Sequence, residues 1–102
     1  IDTLDMVYEK QKGWAKFGCD APPSSALGRN LFVTVLDDKV GFDLVATNPI
    51  LADAALFSTD YPHSVCLWPN TKDYIEKAAV NCDPVSKAKI LAGNAVRVFN
   101  LN

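Results

Sequence analysis

The sequence is poor in the residues that build most metal and disulfide sites. Its 102 residues include a single histidine, His63, and only three cysteines, Cys19, Cys66 and Cys82. An odd number of widely spaced cysteines is not the pattern of a disulfide framework, and it lacks the close pairs of a structural zinc site. We therefore interpret the cysteines as reduced thiols and expect a cytoplasmic protein.

An excess of positive charge and long apolar runs are also absent. The 10 basic and 12 acidic side chains give a net charge of −2, and no cluster of lysine and arginine occurs. Nucleic acid is therefore not an expected partner. Apolar runs extend over only a few residues, whereas a membrane-spanning helix needs about 20, so no membrane partner is expected. No basic segment followed by an apolar one opens the chain, and we expect no signal peptide.

What is present is the composition of a globular domain. Hydrophobic residues make up 49% of the chain and charged residues 22%. A chain of this length suffices for one domain. Hydrophobic periodicity and capping residues predict strands at 30–36 and 55–59, and helices at 2–17, 40–45, 50–54, 71–80, 84–92 and 95–99, with a break at Gly93-Asn94.

Alternating helices and strands predict an α/β fold with parallel strands. The run Leu31-Phe32-Val33-Thr34-Val35-Leu36 is nearly continuous in apolar residues, as in strands that are buried on both faces. Two parallel strands cannot cover both of their faces, and their edges would be bare. We therefore expect residues 1–102 to be a single partial domain that belongs to a larger assembly.

A polar segment follows the second predicted strand. It begins with Asp60-Tyr61-Pro62-His63. In parallel α/β proteins the carboxyl ends of the strands are where catalytic groups gather. On position alone, Asp60 is equally a candidate for catalysis and for capping a turn.

Two motifs give this sequence a family resemblance. The segment Phe57-Ser58-Thr59-Asp60-Tyr61-Pro62-His63, followed by Trp68-Pro69-Asn70, resembles the last barrel strand of the amidohydrolase-related metal-dependent enzymes. The branch of these enzymes that the segment resembles includes aminocarboxymuconate-semialdehyde decarboxylase and the resorcylate decarboxylases. The segment from Lys89 to Phe99 resembles the closing segment of the same branch, so the resemblance covers nearly the whole chain.

The resemblance implies the C-terminal portion of a (β/α)8 barrel. The first helix would follow strand six, with residues 31–36 as strand seven and residues 56–59 as strand eight. Asp60 occupies the motif position of the metal-site carboxylate, which handles the proton of the metal-bound water. His63 is either a substrate contact in the loop above the metal or a surface histidine.

Other residues are expected to have architectural roles. Tyr61 and Pro62 shape the turn, and Trp68 packs over the loop. Asp37 and Asp38, at the end of the first strand, are expected to be solvated turn carboxylates, although an approach to substrate stays open. At the C-terminus, Asn94 is expected to bind backbone groups and Arg97 to pair with a carboxylate.

The metal implied by the resemblance is divalent, with zinc favoured over manganese. One aspartate and one histidine cannot supply the three protein ligands of a catalytic zinc. We therefore expect metal and activity only in the intact enzyme, together with the remainder of the barrel or a companion chain. A C-terminal fragment, a split subunit and a degenerate product all fit the sequence.

Two functions remain open at this stage. The first is a metal-dependent hydrolase or a non-oxidative decarboxylase of a small, often aromatic, acid, with a homo-oligomer of the intact enzyme left open. The second is a non-catalytic α/β fragment or assembly module that retains the family motifs.

Overall fold

A computed structural model describes residues 1–101. Its strands are β1 (Val33–Val35) and β2 (Ala55–Phe57). The helices are α1 (Asp2–Gln11), α2 (Lys39–Thr47), α3 (Pro49–Ala54), α4 (Thr71–Ala78), α5 (Pro84–Ala88) and α6 (Asn94–Phe99), with a 3-10 turn at Pro23–Ala26 and a π-helical segment at Lys89–Gly93. No helix in the described part of the chain is long and apolar enough to cross a membrane.

The two strands pair in parallel, which confirms the predicted α/β arrangement. Val33 pairs with Ala55 and Val35 with Phe57, while α2 and α3 connect the strands. The first strand is shorter than predicted because the chain before it forms a turn. The N–H groups of Asn30 and Leu31 both donate to the carbonyl of Ala26, so they are not available to a strand partner.

The core lies between this small sheet and the helices. It consists of Val35, Phe42, Val45, Ala52, Ala55, Ala78, Ala79 and Ile90. Helix α2 begins where Asp38 accepts a hydrogen bond from the Gly41 N–H. The side chains of Phe42 and Val45, three residues apart, then lie on one face of the helix and are buried.

The predicted helix over 2–17 is wrong at its C-terminal end. Helix α1 ends at Gln11, whose carbonyl accepts from the Trp14 N–H in a tighter turn. The Tyr8 and Phe17 rings lie 5.1 Å apart. Nine residues along a helix would separate them by about 13.5 Å. The chain therefore folds back to form this aromatic contact.

The predicted break at Gly93-Asn94 is also wrong. The chain stays helical from Pro84 to Phe99 and passes through the π-helical segment. Asn94, only 2% exposed, donates from Nδ2 to the carbonyls of Ala52 and Ala55, both at 2.8 Å. This confirms the expected bonds to the backbone. It also explains why asparagine is accommodated inside the helix, since its amide satisfies buried acceptors at the junction of α3 and β2.

Arg97 holds the same helix to the segments before the strands. Its guanidinium donates to the carbonyls of Gly28 at 2.9 Å and Asp53 at 2.7 Å, and it lies 5.5 Å from the centre of the Phe32 ring. Within residues 1–101 the partners of Arg97 are these carbonyls and not the predicted carboxylate. The Asp53 carboxylate instead accepts from Lys89 Nζ at 2.6 Å.

One side of the sheet is uncovered in the described residues. Thr34, which lies on the opposite face from Val33 and Val35, is exposed, and Val33 itself is 42% exposed, so the expected burial of β1 on both faces is not found. An apolar groove of about 210 Å³ runs beside the strand and includes Val33, Leu44 and Leu51. Strand edges and apolar grooves of this kind favour association with other chains.

We expect the purified 102-residue chain to self-associate as its concentration rises, because association covers this groove and the bare strand edges. Light scattering coupled to size exclusion, run over a concentration series, measures the mass. A monomer at all concentrations with a sharp, reversible thermal transition would contradict the expectation.

We expect Asn94→Ala to lower the free energy of unfolding by about 2–4 kcal/mol, because it leaves two buried carbonyls without donors. Pulse proteolysis in urea measures this at concentrations too low for association. Asn70→Ala is the control, since Asn70 is exposed and makes no side-chain capping bond. Equal midpoints for the two variants would argue against the anchoring role of Asn94.

Candidate functional site

The carboxyl ends of the two strands bring the acidic residues of the sequence motif to one edge. Asp60 follows β2 and Asp37 follows β1, and the strands run in the same direction. The N–H of Ser58 donates to the Val35 carbonyl at 2.9 Å and extends the pairing beyond the strands. The candidate site is therefore the loop that starts at Asp60, next to the Asp37-Asp38 turn.

Backbone hydrogen bonds close the loop after β2. His63 N–H donates to the Asp60 carbonyl at 2.9 Å, and Leu67 N–H donates to the Thr59 carbonyl at 3.2 Å. Asp60 itself has φ of 55°, in the left-handed region, where aspartate is one of the better tolerated residues. The chain thus turns sharply at Asp60.

The side chains of Asp60 and His63 meet within this loop. Asp60 Oδ1 and His63 Nδ1 are 2.9 Å apart, and the side chains are 36% and 74% exposed. Among residues 1–101, His63 is the only basic side chain within ion-pair distance of Asp60. The sequence predicts both residues at the site. The contact between their side chains was not predicted, although residues three apart in a turn lie close enough to form one.

An exposed aromatic pair borders the loop. The rings of Tyr61 and Trp68 meet edge to face, with centroids 6.1 Å apart. Each side chain is 65% exposed. Trp68 therefore contacts the loop, in agreement with its expected packing role, and both rings remain accessible.

The Asp37-Asp38 turn is occupied by structural contacts. Asp38 Oδ1 caps α2 through the Gly41 N–H at 2.9 Å. The hydroxyl of Tyr74, on α4, is buried toward this turn, and within the described chain no partner reaches Oη with hydrogen-bond geometry. Burial raises the pKa of Tyr74, and the negative charges of Asp37 and Asp38 raise it further. The neutral phenol is the form that suits this position.

A larger cleft in residues 1–101 lies elsewhere. It has a volume of about 390 Å³ and is lined by Leu27, Gly28, Arg29, Ile50, Asp53 and Arg97. Most of these residues precede the strands, whereas Asp60 follows β2. The Arg97 guanidinium is already bound to backbone carbonyls. We therefore place the candidate site at the Asp60 loop and not in this cleft.

The donor set at the Asp60 loop fits part of a metal site. A carboxylate oxygen is a suitable ligand for zinc and for other divalent ions. No group of three or more histidine, cysteine, aspartate or glutamate side chains that could hold a metal occurs in residues 1–101. Asp60 therefore fits one ligand position, and the described chain does not complete the set.

Comparison with models of protein families gives a match over nearly the whole chain. The model described as amidohydrolase matches residues 1–101. Comparison with curated proteins gives no match.

We expect the alkaline absorbance titration of the chain to contain a phenol component above the ordinary tyrosine value of about 10, because the hydroxyl of Tyr74 is buried beside two carboxylates. Tyr74→Phe should remove this component. Tyr61→Phe, which removes an exposed phenol, should leave it in place. The neutral phenol favours the folded state below pH 10, and this contribution is lost as the pH rises through the higher folded value. A wild-type curve without a delayed component would contradict the assignment.

Proposed function

Because the chain belongs to the amidohydrolase family, we propose that it forms the last part of a (β/α)8 barrel and supplies Asp60 to a catalytic metal site. In this proposal β1 and β2 are strands seven and eight, and α1 follows strand six. The observation that carries the proposal is the position of Asp60 three residues beyond the end of a parallel strand, at the edge where barrel enzymes place their catalytic groups.

The incomplete sheet supports the barrel assignment. A (β/α)8 barrel usually needs about 250 residues and has no free strand edges, whereas within residues 1–101 the two strands pair only with each other. The groove beside β1, which includes Val33, Leu44 and Leu51, is apolar. We propose that the preceding part of the barrel, or a companion chain, covers this groove and adds the missing ligands.

The chemistry of Asp60 suits a metal site. Its carboxylate is partly exposed, and Oδ1 is bound to His63 while Oδ2 has no hydrogen-bond partner in the described residues. The free oxygen is available to bind a metal or to accept a proton from a reacting group. A divalent metal, when bound, would supply Lewis acidity toward the substrate. We propose zinc in preference to manganese.

The proposed substrate is a small molecule, and two reactions are considered. One is hydrolysis of a C–N or C–O bond, and the other is non-oxidative decarboxylation of a small, often aromatic, acid. The Asp-Tyr-Pro-His sequence favours the decarboxylase by analogy with the branch it resembles. A cytoplasmic location is proposed on the basis of the three free thiols.

We expect Asp60→Asn in the complete enzyme to lower activity by roughly 100-fold or more, because the amide neither carries the charge that binds the metal nor accepts a proton. Metal content per chain, measured by elemental analysis, should fall with it. Activity is assayed on a panel of aromatic carboxylic acids, amides and esters.

Asp20→Asn is the matched control, since Asp20 is an exposed aspartate outside the Asp60 loop. It should retain both metal and activity. Full metal content and activity in Asp60→Asn would overturn the proposed role of Asp60. A complete wild-type protein that binds no divalent metal would favour the non-catalytic module.

A further inference from the structure

We propose that His63 is a positioning residue that fixes the orientation of the Asp60 carboxylate through a hydrogen bond from Nδ1. The inference rests on the metal-site role proposed for Asp60 and extends it to a second residue. It gives His63 a role other than the substrate contact or surface position considered above, since one ring nitrogen is engaged with Asp60.

The direction of this hydrogen bond follows from the chemistry of the two groups. An ionised carboxylate has only acceptor sites, so the proton between Asp60 Oδ1 and His63 Nδ1 belongs to the imidazole. Nδ1 therefore carries a hydrogen. In the neutral ring the lone pair then lies on Nε2. The contact thus selects one tautomer, a property that can be measured directly.

The loop holds the two side chains in place through its backbone. His63 N–H donates to the Asp60 carbonyl, so the same two residues are joined by a main-chain bond and a side-chain bond. The Cys66 N–H donates in turn to the His63 carbonyl at 3.1 Å. Asp60 enters this turn at a left-handed φ of 55°. The imidazole therefore reaches Oδ1 from a fixed position three residues away.

Exposure indicates that the contact serves orientation more than stability. The His63 side chain is 74% exposed and the Asp60 side chain 36%. Ion pairs in such positions contribute little to folding because water screens and competes with them. A bond on Oδ1 nevertheless limits rotation of the carboxylate and leaves Oδ2 as the oxygen without a partner in the described chain. Hydrogen bonds of this kind orient ligating carboxylates in metal sites.

The first test uses the fact that the chain has one histidine. In the 15N-labelled full chain, two-bond and three-bond couplings between the carbon-bound ring protons and the ring nitrogens assign both imidazole nitrogens without ambiguity. At about pH 9, well above the ordinary range of histidine, we expect Nδ1 to be the protonated nitrogen. Asp60→Ala should shift the ring toward the Nε2–H tautomer, which free imidazole side chains prefer. Asp37→Ala, which removes a carboxylate from the neighbouring strand end, should leave the tautomer unchanged.

The same measurement can overturn the proposal. A wild-type ring that is protonated mainly at Nε2 would contradict it, as would spectra that are identical in wild type and Asp60→Ala. Magic-angle-spinning NMR gives the same assignment if the chain self-associates.

The second test measures divalent metal affinity in the complete enzyme, with Zn²⁺ as the probe and a competing chelator. His63→Phe keeps an aromatic ring but removes the donor, and we expect a loss of roughly 10- to 100-fold in affinity. In His63→Asn the amide nitrogen stands at the same number of bonds from the backbone as Nδ1, so most of the affinity should return. Unfolding midpoints of both variants should equal that of wild type. Equal affinity in His63→Phe and wild type would contradict the positioning role.

The second test also separates this inference from the proposed function. If Asp60→Ala abolishes Zn²⁺ binding while His63→Phe leaves it unchanged, Asp60 keeps its role and the positioning role of His63 fails. If Asp60→Ala itself leaves Zn²⁺ binding intact, the proposed metal role of Asp60 fails first.

Discussion

The two hydrogen bonds of Asn94 join the parts of the molecule on which the site depends. They connect the C-terminal helix to the carbonyls of Ala52 and Ala55, where α3 ends and β2 begins. Arg97, one turn further along, binds the carbonyl of Asp53 and that of Gly28. Side chains of the C-terminal helix therefore bind backbone carbonyls both before and after the end of α3, and they fix the start of β2. Since Asp60 lies only a few residues beyond β2, its position depends on these hydrogen bonds.

Hydrophobic burial alone does not hold the elements of the fold together. Eight residues form the core, while many large apolar side chains on other faces remain exposed, among them Val33, Leu44 and Leu101. Polar contacts to backbone carbonyls consequently carry more of the fold's specificity than in a domain with a complete sheet. This arrangement suits a unit whose apolar surface is covered by another part of an assembly, as the barrel proposal requires.

The sequence was informative where structure is encoded locally. The parallel strands, the start of a helix at Pro84, which Asp83 caps in the structure, and the order of helices all follow from patterns within a few residues. The sequence was misleading where contacts with distant residues determine the local structure. The break at Gly93-Asn94 is a reasonable prediction from local propensity. Carbonyls some 40 positions earlier in the chain, which Asn94 satisfies, override it.

The same distinction applies to the candidate site. The Asp60–His63 contact and the hydrogen bonds that close its loop involve residues 59–67 only, so this turn is specified by a short stretch of sequence. The three-residue spacing could have predicted the contact, since a turn brings such residues together. Further ligands for the proposed metal site cannot be inferred in this way, because residues 1–101 contain no further histidine and no cluster able to complete the set.

Because the turn at Asp60 is specified locally, the carboxylate can be oriented before the rest of a working site is assembled. A carboxylate whose orientation is set within its own loop does not depend on the metal or on distant strands for its geometry. The conformational entropy of the carboxylate side chain is lost largely when the loop folds. Metal binding therefore needs to order fewer groups. Because the Asp60–His63 bond is exposed, it contributes little to the stability of the fold. The histidine three residues after Asp60 is then better explained by the orientation of the carboxylate than by folding.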